Sequence, residues 1–70
     1  MDNSLMASKL FAIELELYSI LRMLEKLKSL LNEVGMDVSV LEDVKRAINM
    51  ITVVYYEVRK RRKEIEEVKK

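Results

Sequence analysis

Apolar residues in the first half of the chain recur at alternating steps of four and three. Met6, Leu10, Ile13, Leu17, Ile20, Leu24, Leu27, Leu31 and Val34 form one unbroken series. Such steps keep side chains on one side of a helix with about 3.6 residues per turn, whereas a strand repeats every two residues. The series is a heptad seam, with Leu at the a positions and mostly Ile or Leu at d. Leu21 at e, and Met23 and Leu30 at g, widen it.

The second half carries two overlapping series. One runs Val40, Val44, Ala47, Ile51, Val54, Val58, Arg61, Ile65, Val68. The other runs Leu41, Val44, Ile48, Ile51, Tyr55, Val58, Arg62, Ile65. They share Val44, Ile51, Val58 and Ile65. One stripe serves one neighbour, and two adjacent stripes suit two.

Between the halves stands Gly35, the only glycine; there is no proline. A glycine just past a helix end adopts the left-handed conformation without a Cβ clash and closes the last turn. With Val34 as C-cap, Met36 is placed to pack back on Leu31. Ser39 and Glu42 then stand at the spacing of a capping box, a helix-start signal. The expectation is an all-α, single-domain antiparallel helical hairpin over residues 1–70. The first helix spans about 4–34, the turn 35–38 and the second helix about 39–68. At 1.5 Å per residue each helix is roughly 45 Å long.

Two helices cannot cover stripes this wide, but two hairpins in a four-helix bundle can. The expected assembly is therefore a homodimer, with docking onto a different protein as the alternative. Its interface is expected to use Leu17, Ile20, Leu24, Leu27, Ile51, Val54, Tyr55 and Val58. Phe11, Leu15 and Tyr18 lie at i, i+4 and i+7, away from the seam. They mark either a second contact patch or extra bundle core reached by helix bending.

Composition sharpens the need for a partner. A core drawn from 70 residues rarely contributes more than about 3–5 kcal/mol of net stability without a staple. The chain has no Cys, so disulfides and thiolate metal sites are excluded. It has no His, which removes the commonest metal ligand and general base. Oligomerisation is the staple that remains. The net charge of +1 gives a weak overall field. The N-terminal stretch has no basic region followed by an apolar run, so no signal peptide is expected. The apolar-rich stretch 47–58 is short of the roughly 20 residues that span a bilayer. These features lead to the expectation of a soluble, cytoplasmic protein. Abundant Lys and Glu with no Gln is a composition shared with thermophile proteins.

Little in the chain points to catalysis. Ser, Thr and Tyr have no His to activate them. The Glu-x-x-His element of dinuclear metal bundles is missing. Glu14 and Glu16 flank the seam, a placement that suits bundle-edge solvation or pairing across an interface rather than a carboxylate dyad. The expectation is a protein that is no enzyme, holds no metal or cofactor, and acts as a structural or adaptor module.

Residues 59–63, RKRRK, raise an alternative. At 100° per residue the five cations spread around the helix, whereas clusters that track a phosphate backbone line one face. Lys60–Glu64, Arg62–Glu66 and Lys63–Glu67 are i, i+4 pairs that can answer the charge locally. Lys69 and Lys70 suit the negative end of the helix dipole. A self-paired helix end is the favoured reading. The alternative is nucleic-acid binding through Arg59, Lys60, Arg62 and Lys63, with Tyr55 and Tyr56 just upstream able to stack on bases. In size and hairpin plan the chain resembles the small RNA-binding bundles of plasmid copy control. No recognition motif matches residue by residue, so the resemblance is architectural.

Overall fold

The computed structural model describes residues 3–68, except for the Val68 side chain. Lys69 and Lys70 and the last seam position, Val68, thus fall outside the side chains described. Two helices account for nearly all of it: α1 (Asn3–Glu33) and α2 (Val38–Val68), 31 residues each. They pack side by side as an antiparallel hairpin, a rod of 52 × 15 × 14 Å. No helix among the described residues is long and apolar enough to cross a membrane.

The turn is built by one residue's conformational freedom. Gly35 has φ 71°. Its N–H donates to the Asn32 carbonyl at 3.1 Å, and the Met36 N–H donates to the Leu31 carbonyl at 3.0 Å. This is the paired bonding of a Schellman cap, which satisfies carbonyls the helix end would otherwise orphan.

The next helix begins almost at once. The Asp37 carbonyl accepts from the N–H groups of Val40 at 3.0 Å and Leu41 at 3.2 Å. Asp37, not Ser39, therefore stands at the N-cap, and Ser39 falls inside the first turn. Asp and Ser are about equally good at this position. Both helices accordingly begin and end close to the expected 4–34 and 39–68, with α1 ending and α2 starting one residue earlier.

The helices meet through equivalent rows. In α1 these are the a row, Leu10, Leu17, Leu24 and Leu31, and the e row, Ala7, Glu14, Leu21 and Lys28; all are buried or half-buried. In α2 they are Val44, Ile51, Val58 and Ile65 with Leu41, Ile48, Tyr55 and Arg62, all half-buried. So α2 turns its second series toward α1. Among the described residues only Ala7, Glu14 and Leu17 are buried, at 7%, 3% and 9% exposure.

A Cβ added at Gly35 would meet nothing within 4 Å, so the cost of a side chain there is purely conformational. Gly35→Ala is expected to lose about 1–2 kcal/mol in urea unfolding, and Gly35→Asn less, because Asn tolerates the left-handed region better. Equal stability of Gly35→Ala and the parent would show that the cap does not limit the fold.

Candidate functional site

An antiparallel pair that uses equivalent rows has a pseudo-two-fold axis perpendicular to both helices. Rows on the same rotational side of the seam then fall on the same face of the hairpin. The d row of α1 (Ile13, Ile20, Leu27) and the matching row of α2 (Val40, Ala47, Val54, Arg61) therefore share one face. Ile20 is 40% exposed, and Leu27 and Val54 43%. Met23 and Met50 flank this face, a little toward the turn from its middle, and are 70% and 69% exposed.

The eight residues expected at an oligomer interface are thereby sorted. Leu17, Leu24, Ile51, Tyr55 and Val58 lie between α1 and α2, buried or half-buried. Ile20, Leu27 and Val54 remain on the open face. The Tyr55 ring meets the Tyr56 ring edge-on, with centroids 5.3 Å apart.

Phe11, Leu15 and Tyr18 sit toward the opposite side of α1, each about half exposed. Two of them carry cations: Arg62 lies over the Phe11 ring at 5.2 Å, and Arg22 over Tyr18 at 6.0 Å. These distances fall within the range of cation–π attraction. Leu15 has no such cover.

Toward the open end of the hairpin Glu14, expected at the bundle edge or paired across an interface, forms a buried pair within the chain. Glu14 is 3% exposed and the most buried residue described. Both its oxygens accept from Arg62: Oε2 from Nε, and Oε1 from Nη2 at 3.1 Å. Arg62 Nη1 also donates to Glu66 at 3.1 and 3.2 Å. The Glu14 hydrogen bond above all pushes the Arg62 guanidinium above its ordinary range; desolvation opposes this and Glu66 assists. Arg62 therefore stays charged throughout the pH range in which proteins fold. Planar bidentate pairing of this kind is what a guanidinium offers and an ammonium cannot.

Glu14 stands one heptad before Leu21 at e, and Arg62 lies in the second series of α2, so an acid and a base on the rows beside each seam are the signal the sequence held for this pair.

RKRRK is accordingly divided three ways. Arg62 turns inward to Glu14. Arg61 is exposed at the end of the apolar face, beside Asn3 and Glu64. Arg59, Lys60 and Lys63 share the outer flank of α2 with Tyr56, lining a shallow depression of about 420 Å³ together with Glu64 and Glu67. Of the three expected i, i+4 pairs, Arg62–Glu66 is closed, while Lys60–Glu64 and Lys63–Glu67 do not reach ion-pair distance among the described residues. Nor do the described residues bring three or more His, Cys, Asp or Glu together as a metal site.

No protein-family model, curated protein or solved structure matches the chain.

Removing one partner of a buried pair strands the other, whereas replacing both with apolar groups need not cost stability. Arg62→Met is thus expected to lower the thermal midpoint clearly, and Glu14→Leu combined with Arg62→Met to recover most of the loss. Thermal unfolding of the single and double variants checks this. An Arg62→Met variant as stable as the parent would show that the pair contributes nothing to the fold.

Proposed function

We propose that this protein is a non-catalytic, self-associating helical-bundle module with a structural or adaptor role. One observation carries the reading. The chain exposes 5520 Å² of surface at a mass of 8.3 kDa. Folded monomers of that size expose about 4,600 Å². The excess of about 900 Å² is close to the roughly 800 Å² that each partner contributes to a standard interface. Covering half of that excess with apolar contact supplies a gross hydrophobic term on the order of 10 kcal/mol per chain, much of which offsets the entropy cost of association. The face that holds Ile20, Met23, Leu27, Met50 and Val54 is the natural place for it.

If association completes the core, stability must depend on chain concentration. The thermal midpoint is expected to rise as protein is concentrated, with a dimer mass in sedimentation. Ile20→Asp places a carboxylate on the open face and should raise the dimer dissociation constant by at least about a hundredfold. Ile51→Asp places one between the helices and should unfold the chain outright. A concentration-independent midpoint together with a monomer mass refutes self-association.

A second reading is supported by the shared flank of Tyr56, Arg59, Lys60 and Lys63: polyanion contact at the outer side of α2. An aromatic beside cations is the arrangement that binds single-stranded nucleic acid. Glu64 and Glu67 on the same depression weaken its field. Charge reversal tests this reading at Arg59, Lys60 and Lys63, because Arg62 is engaged by Glu14. The triple change to Glu should abolish salt-sensitive retention of single-stranded RNA while leaving the thermal midpoint unchanged. Retention that is absent from the parent protein excludes the second reading.

A further inference from the structure

Resting on the second reading, polyanion contact at the outer side of α2, we infer that the site continues across the hairpin onto α1. Its ligand is single-stranded nucleic acid, held on the face opposite the open apolar one.

The pseudo-two-fold relation that puts both d rows on one face puts the rows on the other side of each seam together on the second face. Those rows hold Phe11, Tyr18 and Arg22 on α1, and Tyr56, Arg59 and Lys63 on α2. Tyr55 is half-buried beneath them in the α1–α2 contact and meets Tyr56 edge-on. The chain has one Phe, three Tyr and no Trp, so this face gathers every aromatic ring of the protein. The open apolar face has none. With the turn between Glu33 and Val38, Tyr56 stands level with Leu15. That is about 5 Å along the rod from Tyr18, on the other helix. Phe11, Tyr18 and Tyr56 are 48%, 51% and 58% exposed.

Charge separates the two faces in the same sense. Across residues 3–22 and 49–68 the aromatic face carries Arg22, Arg59, Arg62 and Lys63 against Glu14 and Glu66, four cations to two acids. Arg62 binds both of those acids. Arg22, Arg59 and Lys63 form no salt bridge among the described residues. Over the same span the open face carries Lys9 and Arg61 against Glu16, Glu57 and Glu64, two to three. The outermost row of α2 adds one of each sign, Lys60 and Glu67. A polyanion is therefore drawn to the aromatic face and not to the apolar one.

Exposed rings beside cations distinguish among anions. Bases of a single strand stack on aromatic side chains while the cations take the backbone, and a duplex keeps its base faces covered. An acidic peptide would use the cations and leave the rings unused. Arg22 over the Tyr18 ring at 6.0 Å is such a pairing on α1, away from the RKRRK run. Self-association through the open face leaves this one outward.

With no Trp, intrinsic fluorescence comes from the three tyrosines, and base stacking quenches it. The probes are an oligouridylate of about twelve nucleotides and an abasic strand of the same length. The parent is expected to bind the oligouridylate about tenfold more tightly than the abasic strand, with quenching. Tyr18→Leu should weaken oligouridylate binding about tenfold, leaving abasic binding and the thermal midpoint unchanged. Arg22→Gln should reduce the slope of log affinity against log salt by about 0.7. If both α1 variants bind as the parent does while the triple change at Arg59, Lys60 and Lys63 abolishes binding, contact is confined to α2. The extension then falls and the polyanion reading stands. Equal affinity for the abasic strand also overturns the extension, because nothing stacks. A parent that holds no RNA, whether or not it takes an acidic peptide such as oligoglutamate, overturns both.

Discussion

Two helices in contact can cover one stripe on each other and no more. Everything else about this hairpin follows from that limit. Its apolar residues occupy three adjacent rows on each helix, and pairing hides two. The a and e rows turn inward, yet among the described residues only Ala7, Glu14 and Leu17 are less than about a tenth exposed. In the d rows Ile13, Ile20, Leu27 and Val54 stay exposed. With no disulfide to constrain the unfolded chain, further stability must come from further burial. In the self-association proposed above, fold and assembly are parts of one equilibrium rather than successive events.

The two ends of the rod are fixed by different means. At one end backbone conformation suffices: Gly35 in the left-handed region and Asp37 at the next N-cap leave the chain little slack. At the other end, where α1 begins and α2 closes, the fixing element is the Glu14–Arg62 pair. A buried ion pair is weak as a source of stability but strong as a check on register. Sliding one helix a heptad past the other leaves the Leu, Ile and Val rows well matched. A slide that sets Glu14 opposite Tyr55 leaves the carboxylate without a base, so the pair disfavours that register.

Periodicity gave away the helices because a 4–3 alternation over nine positions has no other regular solution. Gly35 gave away the turn for an equally local reason. What the pattern did not contain was the assignment of rows to neighbours. A stripe of a, d and e residues states that something covers it, not which row meets which surface; Leu17 and Ile20 read alike in sequence and end on different faces. Glu14 looked like an edge residue because its partner lies on the other helix, and only the turn's position aligns the two. Ser39 and Asp37 are competing caps of similar strength, and choosing between them depends on how the whole turn closes. The RKRRK run illustrates the same gap. Adjacent cations on a helix are 100° apart, so one run of letters becomes an ion pair, the end of an open apolar face and an outer flank.

That division also relates the two functional readings. Self-association draws on the face of Ile20, Leu27 and Val54, whereas polyanion contact draws on the flank of Tyr56, Arg59, Lys60 and Lys63. The surfaces are distinct, so occupation of one does not consume the other. Polarity decides how they combine. Parallel stacking would gather two basic flanks at one end and make a single stronger field. Antiparallel stacking would instead set them on either side of the rod's middle, about 20 Å apart along its axis, some two Debye lengths at physiological salt.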